Sequence, residues 1–311
     1  MIRLKVIELL PDPHRLLQLF CIVDELATLI LTQSIFLTKN GNAPGRPHNL
    51  TISEATTISL YRFMFPWTDF KHFYGFFCNY HKNEFPKLPH YDNLLSMQKQ
   101  LLPFLLQFLG ILIAINRSAF KNKKIRIMFI DGSPLPVCAN KRIFHHKVAK
   151  ETARRGKSSM GWFYGFKLHI LIDEGGNLLG VTITPGNVDE RTQVKKLVGD
   201  LMNALLIADA GYLKGLLQQE LFEKNGIQFI TGVRKTMKIL MTPSQHSLLK
   251  GRQLVETVIG SLKQRLGMVF RLHRSIAGYQ VHFVLTLIAY TLFKSLARIP
   301  LLAAGKQLSP P

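Results

Sequence analysis

The stretch IRIMFIDGSP, residues 125–134, decides the fold of this chain. Four apolar residues follow Arg126 without a charge and then stop at Asp131. A short apolar run bounded by Gly and Pro predicts a buried strand, which Gly132 and Pro134 are expected to end. Asp131 is then expected where the sheet meets solvent. A lone Asp-Gly pair is also an ordinary turn signal, so a functional interpretation of Asp131 depends on further carboxylates.

The residues that follow predict alternating strands and helices. The Glu-Gly-Gly-Asn sequence at 174–177 is a strong hairpin signal, and Asp173 beside it is interpreted as a turn residue. Asn187 or Asp189 is expected to cap the next helix. The predicted elements are strands over 162–173 and 178–184, a helix over 190–201, a strand over 205–209, a helix over 213–224 and a strand over 227–233. Three antiparallel strands followed by helix, strand, helix and strand are the order of a ribonuclease H-like mixed α/β sheet flanked by helices.

Two further carboxylates lie in apolar elements. Asp209 ends a short apolar run and precedes Ala and Gly, which repeats the pattern at Asp131. Glu256 lies in a predicted helix over residues 252–266 that Gly267 closes.

Basic residues accompany the acid on this helix. At 100° per residue, Arg252, Glu256 and Lys263 lie within about 40° of one another at the border of the apolar face. Arg252 and Glu256 also have the spacing of an ordinary i, i+4 ion pair, which leaves Lys263 unexplained.

Charge indicates a polyanionic partner. Forty Lys and Arg against nineteen Asp and Glu give a net charge of +21, which favours nucleic acid over an acidic membrane surface. Residues 1–118 carry eleven basic and eight acidic side chains, and residues 119–311 carry twenty-nine and eleven. The excess therefore lies in the part that contains the three carboxylates.

The segment 138–161 is a basic loop or short irregular helix with seven Lys or Arg and one Glu. Such a run is often only a solvated surface, but beside a candidate carboxylate site it favours contact with DNA phosphates. His145 and His146 are interpreted as DNA or solvent contacts, since nothing completes a metal cage. The candidate phosphate-binding residues are Lys141, Arg142, Lys147, Lys150, Arg154 and Arg155.

The N-terminal region predicts several helices and a separate domain. Thr51 and Glu54 form a capping-box pattern, and Pro103 is expected near a kink. The helices are predicted over residues 12–37, 51–65, 68–81 and 91–115. They are consistent with a DNA-reading helix-turn-helix or with a packing or dimerisation bundle. Clustered aromatics such as Phe73 and Phe77 are expected in its core.

Neither a disulfide framework nor a membrane span is predicted. The three cysteines, Cys21, Cys78 and Cys138, have no paired spacing and suit a reducing cytosol. The first twenty residues lack the apolar core of a secretory signal. The apolar run 101–115 is shorter than the roughly 20 residues of a membrane span and is expected to be a buried helix.

Residues 119–300 resemble the DDE transposases of bacterial insertion sequences, most closely the insertion sequence 982 group. The matching stretches, in order, are IDGSPLPVC, NKRIFHHK, GWFYGFKLH, TPGNVDER, IADAGY, GIQFITGVRK and RQLVETVIGSLK. By this resemblance Asp131, Asp209 and Glu256 are the catalytic carboxylates. Arg252 and Lys263 match the basic members of the Y-R-E-K signature, whose tyrosine position is Leu249 here.

The resemblance implies a metal-dependent transposase. Its carboxylates would hold two Mg²⁺ (or Mn²⁺) ions, with Asp131 bridging both, Asp209 on one and Glu256 on the other, for in-line displacements at phosphorus. Arg252 and Lys263 would hold phosphates beside the scissile bond. The partner would be double-stranded DNA, both element ends and target, bound by a homodimer or larger assembly in the bacterial cytoplasm. A nuclease without strand transfer and a non-catalytic DNA-binding descendant are the alternatives.

The predicted organisation is therefore an N-terminal helical domain over 1–118, a ribonuclease H-like catalytic domain over 119–300 and a tail over 301–311.

Overall fold

The computed structural model describes residues 13–33, 50–65, 69–212, 215–232, 242–269 and 273–295. Its described residues form two compact units. The first contains those up to Gly110, Arg265–Gly267 and those from Ala277 onward, and the second contains Ile111–Gln264 and Met268–Ile276. This division differs from the sequence-based one because the chain returns to the first unit near its end.

The N-terminal part of the chain is helical, as the apolar spacing predicts. Thr51 and Glu54 form a reciprocal capping box at the start of the second helix, with backbone-to-side-chain hydrogen bonds of 3.1 and 2.7 Å. Asp69 caps the third. Residues 12, 34–37 and 68 of the predicted helices lie outside the described residues. The helices are α1 (Pro13–Gln33), α2 (Ile52–Tyr61), α3 (Phe70–Tyr80), α4 (Tyr91–Gln100) and α5 (Leu102–Lys121).

One long helix was expected over residues 91–115, but the structure has two. The break between α4 and α5 falls at Leu101, and Pro103 lies in the first turn of α5. Proline lacks an amide hydrogen that a first-turn residue does not need, so it favours a new helix start over a kink.

Aromatic side chains form part of the core of the first unit, as expected. Phe73 and Phe77 of α3 are fully buried, and their rings lie 6.5 and 6.3 Å from the ring of Tyr61 in α2. Buried rings in edge-on contact stabilise helix packing and are not available to stack on bases.

The expectation that residues 101–115 form a buried helix is only half right. Helix α5 buries residues such as Phe104 and Phe108, whereas Leu106 and Ile115 are about half exposed, at 52% and 54%. By length and composition alone, α5 and a helix over residues 276–294 are apolar enough to cross a membrane. Core helices of soluble proteins have the same composition, so this property does not assign either helix to a membrane.

The second unit is built on a six-stranded mixed sheet. The strands are β1 (Ile127–Cys138), β2 (Arg154–Ser158), β3 (Gly161–Asp173), β4 (Leu178–Pro185), β5 (Leu205–Ala208) and β6 (Gln228–Thr231). Strand β3 pairs antiparallel with β1 along one edge, and along its other edge it pairs antiparallel first with β2 and then with β4. Strands β5 and β6 extend the sheet on the other side of β1 and run parallel to it.

Gly132 and Pro134 do not end β1, contrary to the sequence-based expectation. The strand continues to Cys138 and pairs with β3 from Met128 to Pro136 and, after a shift in register, at Cys138. Its pairing with β5 ends at Phe129 and Ile207, so beyond that point no described strand pairs with β1 on its other side. Pro134 and Pro136 are two residues apart, and both can face this open side without losing a ladder hydrogen bond.

The basic segment between β1 and β3 is more ordered than a loop. It contains a 3₁₀ turn at Asn140–His145 and the short strand β2, which the sequence analysis did not predict. The turn at 174–177 is a hairpin, and Asp173 accepts hydrogen bonds from the backbone of Gly175 and Asn177, at 2.9 and 2.8 Å. Asp173 is therefore a turn residue, as interpreted.

The two faces of the sheet carry different helices. Even-numbered residues of β1, such as Met128 and Ile130, belong to the core formed with α6 (Val194–Val198) and α7 (Gly215–Asn225). The predicted helix over 190–201 is a 3₁₀ turn at Glu190–Gln193 followed by the short α6, and Asp189 caps the turn.

On the opposite face lie α8 (Pro243–Lys250) and α9 (Gln253–Gly260). The ring of Phe129 lies against Gly251, at the join of these two helices. The helix predicted over 252–266 is α9 followed by a π turn at Ser261–Arg265, and Gly267 then adopts a φ of +69°.

Helix α10 (Ile276–Ser295) groups with the first unit apart from its first residue. No element was predicted there from the sequence. The helix is apolar all round, with Leu287, Ile288 and Ala289 fully buried in succession, and a hydrophobic run without a polar face does not show helical periodicity.

Candidate active site

Asp131 lies at the point where β1 loses its second neighbour. Its backbone pairs with Ile170 of β3, and Phe129, two residues earlier, is the last residue of β1 paired with β5. Side chains alternate along a strand, so Asp131 shares the face of Phe129, the face that carries α9. The sheet therefore presents this carboxylate toward the helix that contains Glu256.

Asp209 follows β5 immediately and reaches the same level of the sheet. Phe129 pairs with Ile207 in parallel register, so residues two positions further on, Asp131 and Asp209, come level. Leu206 and Ala208 belong to the opposite core, which directs Ile207 and Asp209 to the face of Asp131.

Arg252 contacts both Asp209 and Glu256. One terminal nitrogen of its guanidinium lies 3.0 Å from Asp209 Oδ1, and the other lies 2.9 Å from Glu256 Oε1. The i, i+4 ion pair of Arg252 with Glu256 is thus present, and the same guanidinium also contacts Asp209. The side chains of Asp209 and Glu256 are 60% and 55% exposed, so this part of the site is open to solvent and to a large substrate.

Lys263 contacts the strand that carries Asp131. Its Nζ donates hydrogen bonds to Ser133 Oγ and to the carbonyl of Pro134, each at 2.6 Å. Burial lowers its pKa, and Asp131 acts against that shift. The structure therefore places Lys263 within the electrostatic field of the first carboxylate.

The environment of Asp131 disfavours its charge. Burial raises its pKa to about 6, with Glu190 and Asp209 adding to the shift, while the amide of Gly132 and the guanidinium of Arg252 oppose it. A carboxyl group with this pKa is half protonated in mildly acidic solution. Such perturbed acids in an open site are candidates for function.

Glu190 is a fourth carboxylate that the sequence analysis missed as a site residue. A methyl group on Gly132 would come within 2.7 Å of Glu190 Cδ, so the acid lies directly against β1 on the face opposite Asp131. Lys167 Nζ lies 3.3 Å from Glu190 Oε1 and donates to the carbonyl of Val188 at 3.1 Å. Burial raises the pKa of the Tyr212 hydroxyl, and the charges of Glu190 and Asp131 add to that shift.

One signal for this pair was present in the sequence. Lys167 is the one charged residue ahead of the terminal Asp173 in the apolar stretch GFKLHILID, and it is 7% exposed. A buried lysine requires an acidic or polar partner. Glu190 was instead interpreted as a helix start because only the folded chain brings it to β3.

The carboxylates supply oxygen donors that suit a hard divalent cation. Within the described residues, no three His, Cys, Asp or Glu side chains are arranged to hold a metal ion. Arg252 provides the positive charge between Asp209 and Glu256. Glu190 and Asp209 add to the rise that burial causes in the pKa of Asp131, and Arg252 opposes it, so a bound cation would add to the compensation that Arg252 already gives.

The predicted phosphate-binding residues of the basic segment lie on the surface: Lys141, Arg142, Lys147, Lys150, Arg154 and Arg155 are all exposed. Arg154 differs from the others because its guanidinium donates to the carbonyls of Glu151 and Ala153, at 2.7 and 2.8 Å. It holds the local chain as well as contributing charge.

An open groove of about 500 Å³ runs past this segment. It is lined by residues of the β2–β3 hairpin, by Lys167, by the segment 186–191 and by Gly211. The lining of the groove includes Glu190, which lies against Gly132, and Gly211, two residues after Asp209, and it does not include Asp131, Asp209 or Glu256.

A family model described as "Transposase DDE domain" matches residues 121–276. The chain belongs to the DDE transposase domain family. The matched residues include the whole sheet and the three acids Asp131, Asp209 and Glu256. The match therefore extends from the end of α5 to the start of α10.

Other comparisons add little. None of the curated proteins matches the chain. Among solved structures, a piggyBac transposase synaptic complex with hairpin DNA aligns over 53% of this chain and 47% of its own, at 11% identity and a TM-score of 0.33. The aligned part thus spans about half of that relative's length.

Proposed function

We propose that this protein is a DNA transposase of a bacterial insertion sequence, similar to the insertion sequence 982 group. It would bind the ends of its element, cleave phosphodiester bonds there and transfer the freed strands to a target. The observation that carries the proposal is the contact of one guanidinium, that of Arg252, with acids from two distant elements, Asp209 and Glu256, level with Asp131. The strand order supports a ribonuclease H-like interpretation of the DDE domain.

The proposed ligands of divalent metal ions, two Mg²⁺ or Mn²⁺ per site, are Asp131, Asp209 and Glu256. Such ions would stabilise negative charge on the entering and leaving oxygens of the phosphodiester. Arg252 would then be released from its carboxylates and would be available to hold a phosphate, as its bidentate geometry allows. Lys263 would keep Ser133 and Pro134 in place and supply positive charge beside Asp131.

The exposed Lys and Arg side chains of the segment 141–155 would bind the DNA backbone outside the cleavage position. Each phosphate contact would release counterions and make binding dependent on salt. Two ends must be handled together, so a homodimer or larger assembly is part of the proposal. The N-terminal helical domain would either read the DNA or pair subunits, and the protein would act in the bacterial cytoplasm on nucleoid DNA.

A strand-transfer assay tests this function. A labelled duplex that carries the terminal repeats flanking the coding sequence is incubated with target plasmid and Mg²⁺, with chelator as the control. Joined product is expected, and Asp131→Ala, Asp209→Ala and Glu256→Ala should each abolish it. Cut but unjoined product would indicate a nuclease, and a bound but unchanged duplex would indicate a non-catalytic DNA-binding protein.

A further inference from the structure

The β2–β3 hairpin presents an exposed tryptophan from an ordered support. The side chain of Trp162 is 63% exposed, although large aromatic residues normally bury most of their surface. Asn140 donates a hydrogen bond to the carbonyl of Trp162 at 2.7 Å. Ser158 bonds to both Met160 and Gly161 across the turn, at 3.2 Å each. The ring is therefore held by the sheet and not by a loose loop.

Positive charge surrounds this ring. Lys157 is the cross-strand partner of Trp162, and its Nζ lies 5.9 Å from the ring centroid. Arg155 also lines the groove. Within the part of the chain that the structure describes, neither Arg155 nor Lys157 forms an ion pair, whereas Lys167 and Arg191 in the same groove contact Glu190 and Asp189. The uncompensated charge of the groove is thus concentrated at the hairpin.

These features match the chemistry of one ligand. Phosphates are attracted by unpaired Lys and Arg, and an exposed indole face accepts a base by stacking. Bases of an intact duplex already stack on each other, so a free aromatic face favours a strand with unpaired bases. A protein partner would leave the charges of Arg155 and Lys157 unmatched unless it were acidic.

We propose that the groove binds a single-stranded segment of DNA, with one base stacked on Trp162 and the adjoining phosphates at Arg155 and Lys157. This rests on the proposed function, because DNA cleavage by this protein is what would supply unpaired DNA to the groove. The ligand would be the unpaired strand of a cleaved DNA end. Trp162 is a binding residue in this proposal and takes no part in the chemistry.

Binding can be measured without any knowledge of the terminal repeats, because stacking on an aromatic ring tolerates any sequence. The probe is a short single-stranded DNA of mixed sequence with one 2-aminopurine, whose fluorescence falls when the base stacks. The full-length protein is titrated in the presence of chelator, so that no cleavage occurs. The same probe annealed to its complement is the duplex control.

We expect the fluorescence of the single strand to be quenched, with weaker quenching of the duplex. Trp162→Ala should weaken single-strand binding roughly 5- to 100-fold and remove the quench, while Trp162→Phe should retain most of both. Phe144→Ala is the matched control, because Phe144 is an 89% exposed aromatic of the same basic segment that does not line the groove. It should bind like the parent protein.

The two proposals fail separately. Asp131→Ala should bind and quench the single strand normally even though it should not cleave, so loss of catalysis alone leaves the groove proposal intact. An unchanged quench in Trp162→Ala would overturn the groove proposal whether or not the protein transposes. A change of oligomeric state in Trp162→Ala, seen by light scattering with unaltered DNA binding, would also overturn it and assign the ring to a subunit contact.

Discussion

Arg252 lies 3.0 Å from Asp209 and thereby connects the start of α9 to the end of β5. The same guanidinium contacts Glu256 at 2.9 Å. One cation thus occupies the space between two carboxylates that we propose as metal ligands. The contact stabilises the metal-free site by compensating charge, and a bound metal ion would have to compete with it.

The first prediction concerns this competition. Arg252→Ala should tighten the binding of Mn²⁺ to the DNA-free protein by about 2- to 5-fold, because partly exposed ion pairs contribute up to about 1 kcal/mol. The same variant should lose strand transfer, since no fork-shaped donor remains for phosphate. Isothermal titration calorimetry measures the metal affinity. Arg191→Ala, which removes an arginine paired with Asp189, is the control and should leave it unchanged.

The second prediction follows from the pKa of Asp131, which is about 6 in the folded protein and 3.8 in the unfolded chain. The folded state holds this proton more tightly. The contribution of Asp131 to the free energy of unfolding is therefore full below about pH 4, declines as the pH rises through about 6, and is lost above that. In metal-free protein at pH 7, Asp131→Asn should raise the free energy of unfolding by about 1–3 kcal/mol.

Urea unfolding at several pH values checks this dependence. The gain from Asp131→Asn should vanish near pH 3, where Asp131 is protonated in both states. Asp189→Asn provides a control of opposite sign, because the contact with Arg191 lowers the pKa of Asp189. A stabilisation by Asp131→Asn that is the same near pH 3 and pH 7 would show that burial does not perturb this carboxyl group.

The third prediction concerns the buried Lys167 and the partly exposed Glu190, whose charged atoms are 3.3 Å apart. Lys167→Met leaves Glu190 uncompensated beside Asp131 and should lower the free energy of unfolding by about 1–3 kcal/mol. The double variant Lys167→Met with Glu190→Gln should recover most of that loss. Denaturant unfolding of both single variants and the double variant measures the coupling. Strictly additive losses would mean that the two side chains do not interact.

The fourth prediction distinguishes the exposed Lys and Arg side chains of the basic segment by the contacts that each one makes within the protein. Lys147→Ala and Lys150→Ala should each reduce the slope of log K against log salt by about 0.9 for duplex DNA, one phosphate contact apiece. Arg154→Ala should reduce it less, because its guanidinium already donates to the carbonyls of Glu151 and Ala153. Fluorescence anisotropy across a salt series gives the slopes. Lys224→Ala, a lysine paired with Glu220 outside this segment, is the control.

The sheet was predictable because its strands are apolar runs separated by clear turn residues. Asp173 was correctly interpreted as a turn residue, and the capping box at Thr51 formed as its spacing predicted. The predicted end of β1 was wrong because Gly132 and Pro134 were taken to stop the strand. A proline breaks a strand only where a neighbouring strand needs the hydrogen bond that proline cannot donate. Whether such a neighbour is present depends on the order of strands in the sheet and not on the local sequence.

Contacts between distant residues were the part that sequence alone did not supply. The helical spacing of Arg252 and Glu256 predicts their pair, but the contact of Arg252 with Asp209 requires the parallel register of β1 and β5. The proximity of Glu190 to Gly132 likewise depends on the turn after β4. Helix α10 lacks a polar face and hence lacks the periodicity by which a helix is recognised.

The central claim is that Asp131, Asp209 and Glu256 act together on DNA. It is tested most directly by incubating the purified protein with Mn²⁺ or Mg²⁺ and a labelled duplex that carries the repeats flanking its coding sequence, beside the three alanine variants. Joined product from the parent protein, and none from any variant that still binds the duplex, is the predicted result. Undiminished cutting and joining by Asp131→Ala or Glu256→Ala would contradict the claim.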